Sequence, residues 1–203
     1  MKYVDTRIPG WNGAAILNIL ATHAAEVPDN GVILELGALF GRSTCAIGHN
    51  KKESVILTSI DIWPLINLDD HKTVNFHDDR CGNDEKLVIL NSIIPNPDRV
   101  DSYELWKHWT KEIPNLNGIQ GYTDMNTSFF PDFDLIVHDA SHEYDQVYKD
   151  LVRWFPKLKS NGAMIIDDYE HQFPGVVKAV DQYVMENDLK TEMVTGRNIL
   201  IRR

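Results

Sequence analysis

Apolar positions along this chain follow two alternating rhythms. Short, nearly continuous apolar runs stand at Val32–Leu36, Ser54–Ile62, Gly118–Tyr122, Phe133–Asp139 and Ala163–Ile166. Between them, apolar residues recur every three or four positions. Ile16, Leu17, Leu20 and Ala24 do so within Trp11–Val27, and Leu105, Trp106, Trp109 and Ile113 within Tyr103–Ile113. Tyr144, Val147, Tyr148, Leu151, Phe155 and Leu158 form a third such set, and Val177, Val180 and Val184 a fourth, between Pro174 and about Glu186. The first rhythm predicts buried strands and the second predicts the helices that cover them; Ser43–His49 adds a short helix. Pro28-Asp29-Asn30-Gly31 and Asn161-Gly162 predict turns. Thr191–Val194 and Asn198–Arg203, around Thr195-Gly196-Arg197, predict a closing hairpin. Strands alternating with helices predict an α/β fold, a mainly parallel sheet covered on both faces with a C-terminal antiparallel hairpin strand.

Residues 63–102 interrupt the alternation. They have mixed polarity, with one short helix predicted at Glu85–Ile94. So long a segment between core elements predicts a lid or substrate-binding insertion in an otherwise single domain spanning 1–203. His71, His77, Asp78, Asp79, Arg80 and Cys81 match no metal-ligand spacing and read as a solvated polar loop.

The chemistry gathers where strands end. Val32–Leu36 runs into Glu35-Leu36-Gly37, then a loop with a second glycine at Gly41, then Ser43 at a helix start. A buried strand that breaks at glycine before a helix N-terminus is a seat for a nucleotide-like ligand. The spacing is neither G-x-G-x-x-G nor the phosphate loop. It is E-x-G-x-x-x-G, which resembles the first motif of class I methyltransferases, the enzymes that bind S-adenosylmethionine. Asp61 ends the next strand at a distance suited to ribose hydroxyls; the plainer alternative is an Asp that only shapes a turn. On this reading adenine lies between Ile62-Trp63 and Tyr122-Thr123.

Asp139, with His142 three residues on, ends the Phe133–Asp139 run, and Asp167-Asp168 ends Ala163–Ile166. Carboxylates this close repel one another and call for a divalent cation with hard oxygen ligands, such as Mg²⁺ or Mn²⁺. The competing reading makes Asp139 a helix cap and sends Asp168 to solvent.

Composition then narrows the partners. The 203 residues carry a net charge of −10, which argues against nucleic acid as the main partner. No apolar run reaches the length of a membrane span, the N-terminus lacks a signal-peptide core, and two cysteines, Cys45 and Cys81, fit a reduced, cytoplasmic protein. A homo-oligomer stays open.

The stretch FDLIVHDASHEYDQVYKDLVRWFPKLKSNGAMIIDDY, followed by PGVVKAVDQY, resembles the core of the macrocin O-methyltransferase group, which also takes in cephalosporin-hydroxylase-like proteins. With the glycine motif and Asp61, the likeness covers about half the chain and leaves Trp63–Asp101 unmatched. It implies a Rossmann-like class I methyltransferase fold and S-adenosylmethionine-dependent O-methylation of a small-molecule hydroxyl, sugar-like or another polyol or phenol, with bound Mg²⁺. Asp139, Asp167 and Asp168 then match the metal carboxylates, and His142 stands where members carry a general base. The cofactor would touch Glu35, Gly37, Gly41, Ser43, Asp61, Ile62, Tyr122, Thr123 and Asp139. The D/N-P-P-Y motif of amino-methylating nucleic acid enzymes is absent. Two other classes stay in view: a metal-dependent oxygenase, which needs a second histidine from His71, His77 or His138, and a non-catalytic S-adenosylmethionine-binding protein. His138 is expected to point into the sheet packing rather than toward the site.

Overall fold

The computed structural model describes residues 3–67 and 99–203. In chain order the elements are α1 (Ala14–Glu26), β1 (Val32–Leu36), α2 (Arg42–Gly48), β2 (Ile56–Asp61), β3 (Leu65–Asn67), β4 (Arg99–Asp101), α3 (Ser102–Thr110), β5 (Leu116–Gln120), β6 (Phe133–His138), α4 (Tyr144–Trp154), β7 (Leu158–Ile166), α5 (Pro174–Glu186), β8 (Thr191–Met193) and β9 (Ile199–Arg202). Seven strands form one sheet in the order β5-β2-β1-β6-β7-β9-β8. The first five run parallel, and β9 and β8 close the edge antiparallel. The expected α/β architecture with its terminal hairpin is therefore present.

Side chains alternate across the strands, so each run feeds both faces. Leu34, Leu36 and Ile136 pack with Val147, Leu151 and Trp154 of α4 and Val176, Ala179 and Val180 of α5. Ile33, Leu57, Leu135 and Val137 pack on the opposite face with Ile16, Leu20 and Ala24 of α1 and with Ile47 of α2. Burying each such Leu or Ile contributes about 1.5–3 kcal/mol. Among the described residues no helix is long and apolar enough to cross a membrane.

The strand expected at Gly118–Tyr122 lies two residues earlier, at Leu116–Gln120, and two further local expectations fail. Asn161-Gly162 is not a turn before a short strand: β7 runs unbroken through it for nine residues, with a register shift against β6 between Phe133 and Leu135. Asn161 takes a left-handed backbone, φ 70°, inside that irregularity, so the turn-forming dipeptide serves a bulge. The first helix begins at Ala14 rather than Trp11. Residues 6–12 lie instead as a strap, which the buried Arg42 guanidinium holds by donating to the carbonyls of Thr6, Ile8 and Asn12.

β3 and β4 pair as a small antiparallel ribbon outside the main sheet, at the stem of the 63–102 insertion. His71, His77, Cys81 and the helix expected at Glu85–Ile94 lie outside the described residues.

Candidate active site

β1 and β6 are neighbours, yet the chain leaves β1 toward β2 on one side and β6 toward β7 on the other. At such a switch point the loops beyond the strand ends part and leave a crevice. A cavity of about 530 Å³ lies there, within the size range of small-molecule sites.

Gly37 makes the crossing close. Its φ is +87°, and a Cβ there would sit 2.0 Å from the Asp139 carbonyl oxygen. The Asp139 N–H donates to the Leu36 carbonyl at 2.8 Å. The glycine loop and the acidic strand end are thus locked back to back.

The loop is shaped by two carboxylates. Asp61 accepts from the N–H groups of Ala38 and Leu39 at 2.8 Å each, and from that of Trp63 at 2.7 Å. It also lines the cavity, as do Gly37, Ser43 and Ile62. Its carboxylate therefore does the turn-shaping work of the plainer alternative while remaining at the cavity wall.

Glu35 does not line the cavity. It is fully buried behind the loop, where one carboxylate oxygen accepts from Thr44 and Ser59 at 2.6 Å each. Burial raises its pKa, against the opposing effect of hydroxyl hydrogen bonds from Ser43, Ser59 and Thr44. Gly41 likewise stands off the cavity, at the N-terminus of α2, where a Cβ would meet Thr110 at 3.1 Å.

Tyr122 and Thr123 are not at the cavity wall either. Tyr122 is 72% exposed. Thr123 is turned inward by its hydroxyl bond to Asp150 at 2.7 Å, and its carbonyl accepts from Trp154 Nε1. Asp150 also meets His138 Nε2 at 3.0 Å, so His138 is a buried structural partner, as the sheet alternation predicts. Trp63 is buried too, packed on Tyr103 and Trp106. Of the four residues expected to flank adenine, only Ile62 lines the cavity.

The acidic wall is crowded. Asp139 accepts from Asn12 Nδ2 at 3.0 Å. Its pKa lies well above the usual carboxylate range, first through burial and then through the neighbouring Asp167 and Asp168. Burial, followed by Asp168, also raises Asp167. Asp168 has a left-handed backbone, φ 59°, which an Asp tolerates better than most residues. Its Oδ2 lies 2.6 Å from His142 Nε2, and its Oδ1 pairs with Arg197.

His142 is 47% exposed and rests on the Phe173 ring. Behind it α5 packs so closely that a Cβ on Gly175 would come 2.3 Å from the His142 carbonyl. That contact fixes the backbone carrying the imidazole.

Asp139, His142 and Asp168 each bring a ligand atom within 4.8 Å of the other two. Asp167 is not in this group. Its Oδ1 accepts from the Asp168 N–H, Arg197 Nε and Asn198 Nδ2. The group contains one histidine, so among the described residues no two-histidine iron triad forms.

Sequence reasoning missed Asn12 and Arg197, which are long-range partners of the acids, and the strap residues Pro9 and Trp11, which line the cavity. The N-terminal Pro-Gly-Trp was the only local signal for any of them.

The comparisons with known proteins agree with this fold. A family model described as a methyltransferase domain matches residues 34–169, from the glycine motif through the acidic pair. No curated protein matches the chain. Among solved structures, the O-methyltransferase NovP aligns with a TM-score of 0.63 at 18% identity, covering 94% of this chain and 80% of that one. CalS11, a TDP-rhamnose 3'-O-methyltransferase of calicheamicin biosynthesis, aligns at 0.58 and 14% identity, covering 92% and 77%. An rRNA methylase from Streptococcus thermophilus aligns at 0.57 and 11% identity, covering 95% and 97%. At such identities the likeness is one of fold.

Proposed function

The chain belongs to the methyltransferase domain family, as a class I S-adenosylmethionine-dependent enzyme, and from that premise we propose that it methylates a hydroxyl oxygen of a small molecule with the help of a divalent ion, Mg²⁺ or Mn²⁺. The observation that carries the reading is the convergence of Asp139, Asp168 and His142 beside the glycine loop, in one cavity.

The residues fit both the cofactor and the ion. Two hard carboxylates suit Mg²⁺ or Mn²⁺, and burial among like charges raises the pKa of Asp139 and Asp167, a cost that a bound cation would relieve. Asp139 and Asp168 would hold the ion, with Asp167 adding negative charge beside them. Gly37, Ser43, Asp61 and Ile62 would seat the cofactor. When bound, S-adenosylmethionine supplies the methyl group and the ion supplies positive charge at the acceptor hydroxyl.

The chain's own residues do the rest. Asp168 orients the His142 ring through Nε2. An Nε2–H donated to that carboxylate leaves the lone pair on Nδ1, which would take the proton of the acceptor hydroxyl. Asn12 holds the Asp139 carboxylate from the strap side. The 63–102 insertion starts at the cavity rim, where Ile62 and Pro64 line the wall. The net charge of −10 supports a small acceptor over rRNA, and the sugar nucleotide acceptor of CalS11 suggests where to begin.

The test is methyl transfer from labelled S-adenosylmethionine to a panel of sugar nucleotides, polyols and phenols. EDTA should abolish turnover on the accepted substrate, and Mg²⁺ or Mn²⁺ should restore it. Full turnover in EDTA removes the ion from the reading.

A further inference from the structure

Arg197 sits at the edge of this acidic group with three carboxylates around it. Its Nε lies 3.2 Å from Asp167 Oδ1 and 3.9 Å from Glu170, and its Nη2 pairs with Asp168 Oδ1. Asp168 is the same carboxylate whose other oxygen meets His142 and joins the Asp139–His142–Asp168 group. The guanidinium therefore neutralises the charge that a divalent ion would also neutralise.

The mounting of Arg197 separates a fixed base from an exposed head. Its carbonyl accepts from the Tyr169 N–H at 2.8 Å, and the next residue, Asn198, donates to Asp167. Val194 N–H closes the turn on the Asn198 carbonyl at 3.0 Å. The backbone is thereby tied to the acidic loop. The side chain itself is 38% exposed and lines the cavity, so the guanidinium has open space to swing into.

We propose that Arg197 is a tethered counter-cation that occupies the acidic group when no metal is bound and competes with a divalent ion for Asp168 and Asp167. This rests on the divalent-ion reading above. Its consequence is a raised metal threshold: the free protein is held together without an ion, at the expense of metal affinity. Two positive groups drawn to the same carboxylates also repel each other, and that repulsion is large at separations of a few ångströms.

The experiment is Mn²⁺ titration of EDTA-treated, desalted protein, with free Mn²⁺ read by its paramagnetic resonance. Melting temperature is measured in parallel with and without the ion. Arg197→Gln should bind Mn²⁺ roughly tenfold or more tightly than the parent. Its metal-free melting temperature should fall, and saturating Mn²⁺ should narrow that deficit. Arg197→Lys keeps the charge and loses the two-pronged geometry, so its affinity should lie between the two. Binding by Arg197→Gln but not by the parent supports the proposal in its strongest form. If the parent binds and neither variant binds more tightly, Arg197 is a permanent structural ion pair and the proposal is overturned while the metal reading stands. If no form binds Mn²⁺, both fall. Should Arg197→Gln fail to fold, the Lys variant decides between the first and third results.

Discussion

The two halves of the cavity wall use buried carboxylates in opposite ways. On the β1–β2 side, Asp61 accepts three backbone N–H bonds and Glu35 accepts two hydroxyl bonds. On the β6–β7 side, Asp139, Asp167 and Asp168 stand close together, with two asparagines, one histidine and one arginine to offset them. The Asp61 carboxylate, satisfied by three fixed donors, shapes a loop and asks for nothing more. A carboxylate crowded by its own kind stays in want of a cation, which is the condition of a site awaiting a ligand. Position at a strand end is shared by both sides and does not separate them; the nearness of other carboxylates does.

The comparison can be tested from its strongest consequence downward. His142→Ala should lower kcat by about 10²–10⁴, the usual range for losing a general base, with the melting temperature and S-adenosylhomocysteine affinity unchanged. A large drop in melting temperature would show that the acidic side carries stability as well, and would blur the division.

Asp61→Ala should do the reverse first. It strips three backbone N–H groups of their acceptor, and each such loss costs about 1–3 kcal/mol when the donor stays buried. Chemical denaturation should register the loss, and cofactor affinity should fall with the disordered loop. Weakened S-adenosylhomocysteine binding at full stability would instead make Asp61 a ligand-binding group before a structural one.

Glu35→Gln is the smallest and sharpest of the three. Burial lifts the Glu35 pKa above its ordinary 4.5, so the folded protein holds that proton more tightly than the unfolded chain. The stabilisation is complete below the unfolded value and is lost as pH rises through the raised folded value. Glutamine carries no such proton. The melting temperature of the variant relative to the parent should therefore climb with pH on the alkaline side of 4.5. Parallel curves would mean that Glu35 folds with its charge intact.

The sequence exposed what local pattern controls. Val32–Leu36 and Pro174–Glu186 were legible to the residue because an apolar run or stripe is bounded by turn chemistry at both ends. Gly37, Ser43, Asp61, Ile62, Asp139, His142, Asp167 and Asp168 were legible as residues that meet at one cavity because strand ends in a parallel sheet converge. The rest depends on partners far along the chain. Asn161-Gly162 carries a turn signal that pairing to β6 overrides. Thr123 looks like a loop residue until Asp150, on α4, draws it inward. Asn12 reaches Asp139 across 127 positions, and no periodicity reports such a bond.

The strap at residues 6–12 has one more consequence, for anyone reshaping the pocket. Arg42 grips it through the main-chain oxygens of Thr6, Ile8 and Asn12, and every amino acid supplies one of those. Those three bonds do not depend on side-chain identity, although a Cβ at Gly10 would come 3.2 Å from the Arg42 side chain, so the exposed positions of the strap can change what they display while its path holds. Trp11, 45% exposed and on the cavity wall, is the natural place for a substitution library: exchanging it repaints one wall of the binding chamber while the scaffold keeps its course.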